Sequence, residues 1–174
     1  IEKFISENKM SKSGKTMSLT KNLWLFVNNK TIEVITKTEK MATEIEINKT
    51  GEYDFEDFIF SINCFSKGSQ DKGFPKDSQY RAYISVDKID FTLRHRRDGD
   101  IIQPFGSCGT QKLKKYLNEK KIPQYQKDKL IFLCKNDEIF WAAGLGISDK
   151  IKVTDSPTHI IELRGKNEGC KNTL

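Results

Sequence analysis

The stretch FTLRHRRDGDIIQPFGSCGTQKLKKYLNEKKIP, residues 91–123, places a strand pattern, a turn and a helix pattern in close succession. Its first part, FTLRHRR at 91–97, alternates apolar and polar side chains, as a strand with one buried face does. Phe91 and Leu93 are therefore expected on the covered face. The opposite face is expected to carry Thr92, Arg94 and Arg96.

RDGD, residues 97–100, has the composition of a turn, and TQKLKKYLNEKK, residues 110–121, has the pattern of an amphipathic helix. Thr110 is a residue type that caps helices, and Pro123 is expected to stop this one. The predicted buried stripe consists of Leu113, Tyr116 and Leu117. The lysines off that stripe are Lys112, Lys114, Lys115, Lys120 and Lys121.

Strand patterns dominate the rest of the chain and predict a β-rich α+β fold, with hairpins and one or two short helices packed on the sheet. The predicted strands lie at 23–36 and 130–144, both as hairpins, and at 44–47, 57–63, 80–87 and 159–163. We expect 1–16 to be the end of a preceding helical domain and a linker, 17–164 the main domain, and 165–174 a flexible tail. The chain opens without Met, so we expect a natural N-terminal part to precede it.

Net charge, the Cys and His counts and the length of the apolar runs limit the kinds of partner and site to expect. The 174 residues carry a formal net charge of +6, which suits a polyanionic partner or simply keeps the protein soluble. The four Cys form no CxxC unit and there are only two His, so no metal site is predicted and a reducing cytoplasm is expected. No apolar run approaches the roughly 20 residues of a membrane span.

KMSKSGKT, residues 9–16, spells two nucleotide-binding signatures. A P-loop would need Gly at position 9, which is Lys9, and a strand before it. KMSKS acts in class I aminoacyl-tRNA synthetases beside a Rossmann sheet. Such a sheet is built from strands that alternate with helices along the chain, and the patterns here do not alternate in that way. We expect a lysine-rich linker, and a tRNA-binding appendage of such a synthetase stays open as an alternative.

Several short patterns in fixed order resemble the C-terminal domain of the tRNA(Ile)-lysidine synthetase family. They are an Arg-x-Arg-x-x-Gly-Asp strand end, a Gly-x-x-Lys-Leu-Lys helix, an Ile-Pro pair, and a hairpin with Ile-x-Trp and a later Gly. The matching residues are Arg94, Arg96, Gly99, Asp100, Gly109, Lys112, Leu113, Lys114, Ile122, Pro123, Ile139, Trp141 and Gly144. The family-like core covers 91–153, and Lys127 stands where the family often has Arg.

The resemblance implies a parent enzyme that ligates lysine to the anticodon wobble cytidine of isoleucine tRNA, using ATP with Mg. That chemistry needs a Ser-Gly-Gly-x-Asp-Ser loop, which this chain lacks, so no catalytic residue and no cofactor are expected here. The domain itself is expected to hold the tRNA on its acceptor-stem side. The resemblance is also compatible with a homo-oligomer formed through the parent protein.

Candidate site residues follow from these patterns together with the resemblance. For RNA binding they are Arg94, Arg96, Arg97, Lys112, Lys114, Lys115, Lys121 and Lys127, with Gly109 and Thr110 as a phosphate-binding helix N-terminus. Structural roles are expected for Gly99, Asp100, Leu113, Pro123, Trp141 and Gly144. We expect charge reversal at Arg94 and Arg96 to weaken tRNA binding in a folded protein.

Plainer interpretations stay open at this stage. Arg94 and Arg96 could pair with Asp98, Asp100 or a neighbouring strand and be purely structural. The helix lysines could form only a solvated face. Trp141 and Tyr116 fit a core better than a stacking platform. A protein-interaction module, with lysines that serve only solubility, is the alternative from another functional class.

Overall fold

The computed structural model describes residues 1–10, 14–28, 30–36, 43–65 and 79–166. In chain order its elements are α1 (Glu2–Asn8), β1 (Lys15–Ser18), β2 (Leu23–Val27), β3 (Ile32–Thr36), β4 (Glu44–Ile47), β5 (Gly51–Phe55), β6 (Phe58–Cys64), β7 (Arg81–Ile84), β8 (Phe91–Arg94), β9 (Ile101–Ile102), β10 (Gln111–Lys112), α2 (Leu113–Glu119), α3 (Gln124–Lys127), β11 (Phe132–Lys135), β12 (Glu138–Ala142), β13 (Gly146–Ile147), a 3-10 helix (Asp149–Ile151) and β14 (His159–Gly165). Three sheets and a few short helices confirm the predicted β-rich α+β class.

The chain forms two compact units. The smaller unit comprises Ile1–Met41 and Ile122–Lys127, and the larger unit comprises Ala42–Lys121 and Asp128–Leu174. The predicted limits after residues 16 and 164 stay predictions. The predicted tail lies outside the described residues from position 167 onward.

The smaller unit is built on the antiparallel sheet β1-β2-β3. Its hairpin turns at Asn28, whose side-chain oxygen accepts the N–H groups of Lys30 and Thr31. Such a side-chain turn is why Asn is frequent at this position. Phe26 is buried and its ring centroid lies 4.7 Å from that of Tyr125, so α3 packs on the sheet.

The described part of KMSKSGKT, residues 9, 10 and 14–16, does not lead from a loop into a helix as a P-loop does. Gly14 has φ +73°, and a Cβ on it would lie 2.4 Å from the Phe26 ring, so the glycine serves close packing. Lys15 then begins strand β1, whereas the same triplet in a P-loop begins a helix. Residues 11–13 of the KMSKS stretch lie outside the described residues.

The larger unit contains two sheets. One has the strand order β10-β9-β12-β11-β8-β4, with β13 added on β12, and all its pairs are antiparallel except β9 with β12. The other has the order β5-β6-β14-β7 and is antiparallel throughout. Their shared core holds Ile47, Phe55, Phe60, Ile62, Ile84, Leu93, Leu133, Trp141 and Ile161.

Two predicted elements are shorter than their sequence patterns. The strand predicted at 91–97 ends at Arg94, and the helix predicted at 110–121 spans only Leu113–Glu119. The helix starts late because β10 (Gln111–Lys112) pairs with β9. It ends early because Lys121 has φ +57°, a left-handed conformation that cannot continue a helix.

The helical segments of the described chain include none that is both long and apolar enough to cross a membrane.

Candidate nucleic-acid interface

A buried ion pair supports the turn after β8. The Arg94 guanidinium donates to both carboxylate oxygens of Asp100, over 3.0 and 2.8 Å, and to the backbone oxygens of His95 and Asn136, each over 2.9 Å. Only 2% of Arg94 is exposed. Burial disfavours the charged guanidinium, but the hydrogen bonds that Arg94 donates to Asp100 and the nearby negative groups keep the pKa of Arg94 above its usual range.

The predicted exposure of Arg94 is therefore wrong. Strand alternation places Arg94 opposite Leu93, but both faces of β8 are covered at this end of the strand. The Arg94 guanidinium is taken up by these hydrogen bonds, so its role is structural and agrees with the ion-pair alternative.

Asp100 connects the turn to helix α2. Its carboxylate accepts the backbone N–H of Arg97 over 2.7 Å, and its backbone oxygen accepts the N–H of Leu113 over 2.8 Å. Gly99 supplies φ +97° for the turn, a conformation that L side chains rarely adopt. The turn and the first residues of α2 therefore stand in a fixed relation to each other.

A basic cleft lies between this turn and the start of α2. Its volume is about 180 Å³, and it is lined by Arg96, Arg97, Asp98, Gly99, Asp100, Lys112, Leu113 and Lys114. Lys112 and Lys114 are exposed, and within the described part of the chain neither has an ion-pair partner. Asp100 is already neutralised by Arg94, which leaves the cleft with an excess of positive charge.

The two cleft arginines are each held by a carboxylate. The Arg96 Nε donates to Asp128 Oδ1 over 2.8 Å, and the Arg97 Nη2 donates to Glu44 Oε2 over 2.5 Å. Arg97 is the more open of the two, with half of its side chain exposed. Exposed ion pairs contribute little to stability, so the Arg97 guanidinium can exchange its carboxylate for another anion.

The predicted helix N-terminal site is also corrected. Thr110 does not cap α2, because the N-cap position belongs to Lys112, which makes no capping hydrogen bond through its side chain. Gly109 and Thr110 instead precede β10. A seven-residue helix that begins elsewhere gives these two residues no phosphate-binding N–H array.

The remaining predicted cations differ in exposure. Lys115 is exposed and lies 3.8 Å from Glu119, one helical turn away, and Lys121 is exposed just after α2. Lys127 is buried in the smaller unit with only 7% exposed. The expected RNA contact of Lys127 is therefore not supported, because a buried ammonium cannot reach a phosphate on the surface.

The residues predicted to be structural lie in the following places. Leu113 and Trp141 are buried in the larger unit, with 2% and 1% exposed. Gly144 has φ +79°, and the Tyr80 ring lies 3.2 Å from where a Cβ would be. The Pro123 backbone oxygen accepts the N–H groups of Gln126 and Lys127 at the start of α3.

Sequence reasoning missed Glu44 and Asp128, the carboxylates that face the cleft arginines. Glu44 is the partner of Arg94 in the β4–β8 register, so its position depends on strand pairing between distant segments. The alternating EIEI pattern predicts a strand at 44–47 but does not indicate which strand lies beside it. Sequence reasoning also missed Phe105, an exposed aromatic residue in the β9–β10 connection.

The arrangement suits anion binding. In the ranges that the structure describes, no group of three His, Cys, Asp or Glu side chains could hold a metal ion. The cleft is cationic, and it presents both flexible ammonium groups and a planar guanidinium. Such a surface can bind several phosphates of one polyanion.

Comparison with known proteins gives the same family as the motifs. Residues 91–163 match the family described as TilS substrate C-terminal domain. The tRNA(Ile)-lysidine synthase of Clostridium acetobutylicum is 35% identical over 88 residues, which are 49% of this chain and 19% of that protein. The enzyme of the same name from Caldanaerobacter subterraneus is 31% identical over 112 residues, or 63% of this chain and 22% of that protein.

A longer alignment and a solved structure extend the comparison. The Clostridium perfringens lysidine synthase is 29% identical over 132 residues, which are 76% of this chain and 26% of the relative. A crystal structure of a TilS C-terminal domain shares the fold with a TM-score of 0.53 and 17% identity, covering 72% of this chain and 99% of that one. The chain thus spans about a fifth to a quarter of the length of these three relatives. The family match over 91–163 and the lysidine synthase relatives, together with the shared fold, support a TilS C-terminal domain within this chain.

Proposed function

We propose that this domain holds isoleucine tRNA by its acceptor-stem side, while a catalytic domain of the same protein ligates lysine to the anticodon wobble cytidine. The relatives that share 91–163 are named tRNA(Ile)-lysidine synthases, which supports a tRNA ligand. The ligation would take place outside this chain, which has no Ser-Gly-Gly-x-Asp-Ser stretch to hold ATP.

The observation that carries the proposal is the basic cleft. Proteins recognise duplex RNA mainly by its shape, its 2′-hydroxyls and its phosphates. Such recognition requires cations fixed at a definite spacing and no deep apolar pocket. The backbone at Lys112 and Lys114 is held in place at the cleft because the Asp100–Leu113 hydrogen bond fixes the start of α2 against the turn.

The lysines and the arginine of the cleft differ in what they contribute to RNA binding. Lysines are flexible point charges that add salt-dependent affinity, whereas an arginine can bind a phosphate through two parallel hydrogen bonds. Arg97 is half exposed and stands at the same cleft as the two lysines. We assign the lysines to general attraction and Arg97 to positioning of the backbone.

The test is fluorescence anisotropy with an acceptor-stem minihelix of isoleucine tRNA and a scrambled duplex, at low and physiological salt. We expect Lys112→Glu with Lys114→Glu to weaken minihelix binding at least about tenfold and to lower the salt slope by about one for each lysine. The control is Lys88→Glu, an exposed lysine that precedes β8, whereas the cleft residues follow that strand.

Equal binding by the cleft variant and the control would refute the cleft as the RNA site. Absence of saturable binding to either RNA by the unchanged protein would favour the protein-interaction alternative. Preference for the cognate minihelix at physiological salt would show that the domain contributes to tRNA selection itself.

A further inference from the structure

The connection between β9 and β10 presents an aromatic side chain to solvent. Phe105 is 67% exposed, the most open aromatic ring among the described residues. A single exposed apolar side chain is common on protein surfaces and requires no explanation by itself. Phe105 differs because its backbone is fixed and because it lies in the loop that leads to the basic cleft.

Hydrogen bonds on several sides hold the loop. The Ser107 N–H donates to the Pro104 oxygen over 2.9 Å and closes a turn, in which Gly106 has φ +77°. A glycine with this φ at the third position is typical of a type II turn, which places Phe105 at the second position on the tip. The Gln103 amide additionally donates to the Ser107 oxygen over 2.7 Å.

The neighbouring 3-10 helix anchors the same turn. The Asp149 carboxylate accepts the Gly106 N–H over 2.9 Å, and its backbone N–H donates to the Gln103 oxygen over 3.0 Å. The hydrogen bonds from Lys152 and from Gly106 hold the pKa of Asp149 below its usual range, so the anchor stays ionised at neutral pH. The exposed ring is thus carried by an ordered turn.

The ring also lies within reach of the cleft. Lys112 pairs with Ile101 in the β9–β10 register, and Phe105 follows Ile101 by four residues. Four residues span at most about 14 Å even when fully extended, and paired strand residues lie about 5 Å apart, so the Cα atoms of Lys112 and Phe105 are at most about 20 Å apart. A nucleic acid that places its phosphates at Lys112 therefore continues over a distance at which one of its bases can meet Phe105.

We propose that Phe105 is a stacking platform for an unpaired nucleotide that continues from the duplex bound in the basic cleft. The inference rests on the proposed function and names the part of the RNA that the loop would contact. Aromatic rings bind unpaired bases by stacking, which tolerates any sequence because every base has a flat face. Bases inside a duplex are already stacked, so only a single-stranded extension offers a free face.

The test compares two RNAs and four forms of the 174-residue chain. One RNA is a blunt hairpin, and the other is the same hairpin with a short single-stranded 3′ extension that carries 2-aminopurine. The proteins are the unchanged chain, Phe105→Ala, Phe105→Leu and Phe105→Trp. Anisotropy measures affinity, and 2-aminopurine fluorescence falls when that base stacks on a ring.

We expect the extension to strengthen binding to the unchanged chain by about fivefold or more, the lower range for one stacked base. Phe105→Ala and Phe105→Leu should lose that gain and the fluorescence change, while their affinity for the blunt hairpin stays unaltered. Phe105→Trp should keep both. Leu separates stacking from general hydrophobic contact, because it is apolar but has no flat ring.

The inference fails if the extension adds no affinity to the unchanged chain, or if Phe105→Ala binds the extended hairpin as the unchanged chain does. In either case blunt-hairpin binding would leave the cleft proposal standing. Absence of binding to both RNAs would refute the cleft proposal and this inference together.

Discussion

Arg94 and Asp100, six residues apart, form a two-point ion pair with almost no solvent exposure beneath the turn that carries Arg96 and Arg97. Both side chains also make hydrogen bonds with the backbone. Arg94 donates to two carbonyl oxygens, and Asp100 accepts the Arg97 N–H. The sequence signature Arg-x-Arg-x-x-Gly-Asp therefore supplies both the buried ion pair that supports the turn and part of the cleft surface. Its first arginine supports the turn, and its second lies at the cleft.

Removal of one member of this pair should cost much stability. Asp100→Ala leaves a buried guanidinium without its counter-charge, so we expect the free energy of unfolding to fall by about 3–5 kcal/mol. Urea denaturation followed by circular dichroism measures this change. The control is Glu52→Ala, which breaks the exposed pair with Arg164 and should cost less than about 1 kcal/mol.

The double variant Arg94→Met with Asp100→Leu tests whether the cost of Asp100→Ala comes from the unpaired buried charge. It removes both charges, so no unpaired charge stays buried, and we expect it to be more stable than Asp100→Ala. A double variant as unstable as the single one would indicate that the lost hydrogen bonds to backbone oxygens, and not the unpaired charge, account for the cost. A cost for Asp100→Ala no greater than that of Glu52→Ala would contradict the structural role of the pair.

The buried thiol of Cys134 should distinguish the folded from the unfolded chain. Burial raises the pKa of Cys134 to about 12, whereas Cys64 and Cys108 are exposed. In the native protein we expect iodoacetamide to modify Cys64 and Cys108 but not Cys134, because only the thiolate reacts and this thiol is both closed off and protonated. Mass spectrometry of the digested protein reads each position separately.

The same thiol contributes to the pH dependence of stability. The folded thiol keeps its proton to higher pH than the unfolded thiol, whose ordinary pKa is 9.0. The unfolded state therefore binds fewer protons above pH 9, and the free energy of unfolding falls as pH rises there. Cys134→Ala should show a weaker decline over this range, and an identical decline in both proteins would contradict the assignment.

Sequence patterns predicted the local elements well but not the depth of individual side chains. The hairpins and the Leu113, Tyr116 and Leu117 stripe follow from residue type and spacing, which act over a few residues. The burial of Arg94 does not, because alternation assigns a side chain to a face without showing whether that face is covered. Lys127 was misjudged for the same reason, since its surroundings come from distant parts of the chain.

The start of α2 shows a second limit. Thr110 is a good cap by type, and the lysine-rich run favours helix from that point. The structure instead uses Gln111 and Lys112 to pair with β9, so the helix begins at Leu113. A sheet contact between two-residue strands leaves no periodic signal, and only the fold reveals it. That contact also places Lys112 at the cleft.

The ion pair between Arg97 and Glu44 should limit RNA affinity. Glu44 accepts a hydrogen bond from the Arg97 guanidinium, which a phosphate would otherwise bind. The side chains of Arg97 and Glu44 are both about half exposed. We expect Glu44→Gln to strengthen minihelix binding by about two- to fivefold, the amount that an exposed ion pair is worth. The control is Glu52→Gln, which changes net charge equally and releases Arg164 from its pair on the other sheet of the larger unit. Equal gains in both variants would show that only net charge matters, whereas a gain confined to Glu44→Gln, and lost again when Arg97→Ala is added, would place the phosphate contact at Arg97.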